Sequence, residues 1–191
     1  TSEISSSVTS SKNFNSDDPL ENFRIVLGDT TGWRTLAKLA VADGGARGGV
    51  QLGLYAAGSR DIVAIPECQV HHPSINVAQR AILNGCRRCN IRAFDEKSGK
   101  GELRYVTIMV ERRTQNVAIG LIFASNDIRE AAPRARLLAK AIRDALGAEG
   151  VGLHSVWAHL RGNGGGNAIF SPSPDAWHHI VGPKTIAESF E

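Results

Sequence analysis

The chain has 191 residues, 42% of them apolar and 21% charged, and its 22 Lys and Arg against 19 Asp and Glu leave a formal net charge of +3. This fits one globular domain with tails, large enough to bury a core without disulfides or metal. The sequence holds no apolar run of the roughly 18 residues that a membrane-spanning helix needs, and its three cysteines are too few and odd in number for a secreted disulfide scaffold. So small a net charge does not by itself announce nucleic acid, because a basic footprint is read from clustering.

In chain order, Thr1 to Ser16 is dominated by Ser, Thr and Asn, with too little apolar content to offset its ordering entropy. It is expected to be a tail, residues 1–19 in all. As a Ser-rich, acid-poor segment not opening on Met, it also suits the remnant of an organelle transit peptide, or else an ordinary frayed terminus. Phe23 to Leu27 suggests a short strand. Trp33 to Ala42 reads as a strand, Gly44 to Gly49 as a turn, Val50 to Tyr55 as a second strand and Ile62 to Ile65 as a third, together an antiparallel meander.

Pro73 and Ser74 open a helix, Pro in the first turn and Ser as N-cap. Its apolar face is Ile75, Ala78, Ile82, Cys86 and Cys89. Asn90 to Phe94 starts a strand, and Lys97 to Gly101 is a polar turn. Leu103 to Arg112 and Asn116 to Ala124 form the clearest hairpin. A second helix is expected from Pro133 to Leu146, burying Leu137, Leu138, Ala141, Ile142, Ala145 and Leu146 and stopping near Gly147. Val151 to Leu160 is another strand, Gly162 to Gly166 a glycine-rich loop and Asn167 to Phe170 a short strand. Residues 171–191, with three prolines, read as a C-terminal tail, leaving 20–170 as the domain. The fold class is α+β, a mostly antiparallel sheet with two helices packed on it.

Four stretches together resemble one family. They are Trp33-Arg34-Thr35-Leu36-Ala37-Lys38-Leu39-Ala40-Val41; Leu52 to Tyr55 with Gly58 to Cys68; Cys68-Gln69-Val70-His71-His72-Pro73-Ser74-Ile75-Asn76; and Phe94-Asp95-Glu96 with Gly101 to Val106. Each is weak alone; their order and spacing make chance a poor explanation. The chain resembles, from about Trp33 to Glu188, the central domain of S-adenosylmethionine-dependent RNA uracil-5-methyltransferases acting on transfer and ribosomal RNA, the plant and algal type most nearly. The resemblance implies a domain that grips RNA. It also implies that the methyl donor, the nucleophilic thiolate and the base belong to a further, Rossmann-like domain, which the sequence does not reach. The expectation is a chain that binds and does not catalyse, with no cofactor of its own and S-adenosylmethionine only if a downstream domain exists. Some members carry a four-cysteine iron–sulfur cluster. Cys68 matches its fourth ligand, but no cysteine precedes it here.

The RNA-contact candidates are Arg34, Lys38 and Arg104 in the family motifs, with His71, His72 and Asn76 beside them and Arg136, Lys140 and Arg143 on the second helix. Against these stand blander readings: a solvated face, an internal ion pair of Arg104 with Glu102, and a strand-to-helix corner built by the two histidines. Cys68, His71, Cys86 and Cys89 have spacings that a zinc site uses, although Cys86 and Cys89 also suit a buried helix stripe. The Gly162–Gly166 loop lacks the Lys-Ser/Thr of a phosphate-binding loop and leads into a strand. Of the tryptophans that could stack on bases, Trp157 reads as core and Trp177 as surface, with Trp33 undecided. The expected partner is RNA. A subunit of an organellar ribonucleoprotein in chloroplast or mitochondrion is the alternative role.

Overall fold

A computed structural model describes residues 27–45, 48–162, 169–170 and 173–187. Most of the expected Phe23–Leu27 strand and most of the Gly162–Gly166 loop fall outside those residues, and Leu27 itself is not in a strand. The described elements run β1 (Leu36–Asp43), β2 (Val50–Tyr55), β3 (Ile62–Ala64), α1 (Pro73–Cys89), β4 (Leu103–Val110), β5 (Val117–Phe123), α2 (Ile128–Ala148), β6 (Leu153–Leu160) and β7 (Trp177–Val181). The strands form one seven-stranded sheet in the order β3-β2-β1-β4-β5-β6-β7. Every pairing is antiparallel except β5 with β6, which are parallel and joined through α2. The fold class is α+β, as the sequence implies.

The two helices pack on each other and on one face of the sheet. Period-two alternation decides which side chains meet them. Leu39 and Val41 of β1, Val106, Ile108 and Val110 of β4, Ile119 and Leu121 of β5 and Val156 and Ala158 of β6 join Ile75, Ile82, Leu138, Ile142 and Leu146 of the helices in one buried cluster. The helices approach closely at Gly85, where a Cβ would meet Leu138 Cδ1 at 2.8 Å.

The helix boundaries correct the sequence reading twice. His72, not Ser74, caps α1: its Nδ1 accepts the Ser74 N–H at 3.2 Å, and Pro73 takes the first helical position, where no N–H is needed. Pro133 is not the start of α2 but lies inside it. The helix opens at Ile128 behind Asp127, whose carboxylate accepts the Arg129 N–H at 2.8 Å. Proline at the sixth helical position removes only one ladder bond near the helix entrance, so the strong Asp cap overrides it. Leu137, expected in the buried stripe, is 48% exposed, and Ala131, Ala132, Ala135 and Ala139 are buried there instead.

Two further expectations change. Asn90 to Phe94 is not a strand: beyond the left-handed cap Asn90 (φ 49°) it makes one isolated bridge, Ala93 to Leu103. In the stretch read as a tail, Trp177–Val181 is the edge strand β7, paired with β6. Ile169 and Phe170, the described end of the expected Asn167–Phe170 strand, are not in one.

A candidate nucleic-acid interface on the helix-free face of the sheet

Among the described residues, no α-helix packs on the opposite face of the sheet. Strand register aligns its side chains into three rows. The first is Leu36, Met109, Ala118 and Ser155; the second is Lys38, Thr107, Gly120, Trp157 and His179. The third runs Ala64, Gly53, Ala40, Tyr105, Ile122, His159 and Trp177. None of these strand positions is Asp or Glu, while Lys38 is exposed at the middle of the face. The rows therefore set aromatic rings and a cation together with no carboxylate among them, while Glu96 lies near enough to act on the Tyr55 hydroxyl at one edge.

Each aromatic is held by neighbours. Trp157 and His179 meet edge to face at 4.9 Å. His159 packs against Trp177 at 4.6 Å and Phe170 at 5.5 Å, and Lys38 Nζ stands 5.0 Å from the Phe170 ring centre. Tyr55 and Tyr105 share a 3.0 Å hydroxyl–hydroxyl hydrogen bond, and partial burial followed by that bond pushes Tyr55 up to about 12. A cavity of about 270 Å3 opens between Leu36, Met109, Trp157, Trp177, Lys184 and Ile186, with Thr107, Gly120 and Ser155 also lining it.

The structure does not bring the nine residues singled out in the sequence into one site. Lys38 lies on this face, and Arg34, exposed at the entrance to β1, stands 5.3 Å from the Trp33 ring. Arg104 is 8% exposed, paired with Glu96 and 4.0 Å from the Phe94 ring. The internal ion pair considered for it exists, but with Glu96, because Glu102 is held by Arg134 at 2.7 Å. Arg136, Lys140 and Arg143 are exposed on α2, on the helix side of the molecule.

His71, His72 and Asn76 build the corner before α1. The His72 N–H donates to the Arg34 carbonyl at 2.9 Å, and Asn76 Nδ2 donates to the Cys68 carbonyl at 3.3 Å. Burial lowers both histidines below the ordinary imidazole range, with the Arg34 charge adding to the effect at His71. A second cavity, of about 320 Å3, lies here among Cys68, His71, Asn76 and Arg80. Its Arg80 guanidinium is taken by Glu67 at 2.7 Å and Glu149 at 2.6 Å. The zinc quartet is not assembled. Cys68 and His71 precede α1, whereas Cys86 and Cys89 lie at its far end, on the order of 20 Å along the helix. Burial pushes the Cys86 thiol up to about 12, away from the thiolate that a metal needs. Among the described residues no three His, Cys, Asp or Glu side chains group as metal ligands.

Sequence reasoning missed the aromatic face. It put Trp157 in the core, but Trp157 is half-buried and on the helix-free side, next to Trp177. The alternation Ser155, Trp157, His159 marks a distinct face, but only cross-strand register shows what it joins.

No protein-family model matches the chain. An uncharacterised RNA methyltransferase of Protochlamydia amoebophila is 33% identical over 179 residues, covering 90% of this chain and 45% of the relative. One of Geobacter sulfurreducens is 34% identical over 82 residues, 43% of this chain and 16% of that one. The fold matches part of the tRNA (uracil-54, C5)-methyltransferase of Pyrococcus abyssi, solved with S-adenosyl-L-homocysteine, with a TM-score of 0.55 at 16% identity, covering 84% of this chain and 34% of that protein. The molecule is thus an α+β domain of the kind that RNA methyltransferases contain. By sequence it is a homologue of RNA methyltransferases and spans less than half the length of those it matches.

The β5–α2–β6 crossover enters α2 through Ala124–Asp127 without a glycine, and the Asp127 carboxylate is turned onto its own helix by Arg129.

Proposed function

We propose that this chain is the RNA-recognising part of an RNA (uracil-5-)methyltransferase-like protein. It grips ribosomal or transfer RNA on the helix-free face of its sheet and transfers no methyl group by itself. The observation that carries the reading is the face itself: three rows of side chains with Tyr105, Trp157 and Trp177 among them, an exposed Lys38 beside them and no carboxylate in any of the three rows. Aromatic rings on an open sheet stack unpaired bases, and cations beside them contact phosphate. Homology to RNA methyltransferases supplies the ligand class.

The test is filter binding of the 191-residue chain to transfer RNA and to a ribosomal RNA fragment over a salt series. Binding should weaken as salt rises, because phosphate contacts release counterions. Lys38→Glu should weaken it at every salt. RNA binding indifferent to Lys38→Glu and to salt would defeat the reading. Labelled methyl donor should leave the RNA unmarked, and methylation by this chain alone would refute the non-catalytic half.

A further inference from the structure

The cavity on the helix-free face has a chemistry of its own. Gly120 lets its neighbours close in on one wall: a Cβ there would collide with the Thr107 hydroxyl and meet two carbons of the Trp177 ring at 3.0 and 3.1 Å. Indole rings of Trp157 and Trp177 wall it, and Leu36, Met109 and Ile186 add apolar surface. Thr107 and Ser155 bring hydroxyls, each able to donate or accept. The Ser155 hydroxyl also lies 3.0 Å from His154 Nδ1. Lys184 stands at the rim, and Lys38 lies directly across from Thr107. Among the described residues, no Asp or Glu lines the cavity.

We propose that this cavity receives one unstacked nucleobase of a bound RNA strand, the flanking phosphates lying against Lys38 and Lys184. The inference rests on the RNA reading above and names the part of the ligand that enters. A volume of about 270 Å3 falls just below the range of roughly 300–1,000 Å3 that holds a drug-sized molecule, so one planar ring fits and an extended ligand does not. A cationic ligand would find no counter-charge. An aliphatic peptide side chain would give the Thr107 hydroxyl no partner, whereas a polar-edged ring does. Hydroxyls that both donate and accept satisfy either kind of base edge, so the pocket selects for an exposed base more than for its identity.

The experiment compares two ligands of equal charge by tryptophan fluorescence at low salt: an oligouridylate and a sugar–phosphate chain of the same length without bases. Trp33→Phe removes the tryptophan outside the cavity. The base-bearing strand should bind about tenfold more tightly, the lower part of what one base–aromatic stack supplies. Gly120→Val, which pushes the Trp177 indole and the Thr107 hydroxyl out of place, should erase that difference and leave affinity for the baseless chain unchanged. If Gly120→Val disturbs folding, Met109→Trp blocks the mouth from a 39% exposed rim position and should do the same. Equal binding of both ligands by the parent chain would overturn the cavity proposal while leaving the RNA reading intact. Binding of neither would overturn both. A base preference that survives a folded, blocked cavity would also overturn the proposal.

Discussion

The two sides of this sheet are made by the same strands and do different work. The side under the helices is uniform: Leu, Ile, Val and Ala, nearly all fully buried, closed by α1 and α2 with Gly85 letting the helices touch. The bare side mixes small residues, aromatics, hydroxyls and a lysine, and leaves Leu36 41% and Met109 39% exposed. Burial accounts for the first composition, since each covered aliphatic side chain contributes roughly 1.5–3 kcal/mol. It does not account for the second. Phe170, Lys184 and Ile186 pack along part of this side, and the apolar groups still left in contact with water mark a surface that meets something else.

Substitutions on each side should therefore separate stability from binding. The largest expected effect is on the covered side. Ile142→Ala, at a fully buried position, should cost about 2–5 kcal/mol in urea unfolding and leave the RNA affinity of the folded fraction unchanged. On the bare side, Trp157→Ala should cost about 1–3 kcal/mol of affinity for unstructured RNA and less stability than Ile142→Ala. Equal losses of stability from the two would erase the distinction between the sides.

A smaller effect comes from the corner of the covered side. His72 caps α1 only while its Nδ1 is unprotonated, and burial lowers both His71 and His72 from the ordinary value of 6.5. A group whose folded pKa is depressed contributes stability that is complete above its unfolded pKa and drains away as pH falls through the folded one. Melting temperature should hold above about pH 6.5 and fall below it, the cap accounting for about 1 kcal/mol. His72→Asn keeps an acceptor without a proton to gain, so it should flatten part of that fall. An unchanged acid slope would show the cap is not titrating. Smallest of all, Arg136→Ala combined with Lys140→Ala should change stability by no more than about 0.5 kcal/mol, because both are exposed and form no ion pair described here. RNA affinity should move little, and a loss larger than that of Trp157→Ala would shift the interface to the helices.

The covered side was legible in the sequence and the bare side was not. The β4–β5 hairpin, the β1–β3 meander and the apolar stripe of α1 each follow from local periodicity, and the covered core follows from them. Pro133 hides the first turn of α2, because proline reads as a start and draws attention away from the Asp127 cap six residues upstream. β7 escaped because Trp177-His178-His179 looks polar and lies between prolines, yet pairing with β6 holds it. The bare face depends on register among strands far apart in sequence. Lys38, Thr107, Gly120 and Trp157 become one row only when β1, β4, β5 and β6 align. Candidate residues chosen by charge within motifs were therefore dispersed: Lys38 onto the bare face, Arg104 into an ion pair, and Arg136, Lys140 and Arg143 onto the helix side.

The most direct measurement is photo-crosslinking of the chain to RNA carrying 4-thiouridine, with the modified peptides identified by mass spectrometry. Adducts should concentrate on strand residues of the helix-free face, Tyr105, Trp157 and Trp177 foremost. Adducts confined to α2 around Arg136 and Lys140, with the aromatic rows unmarked, would contradict the account.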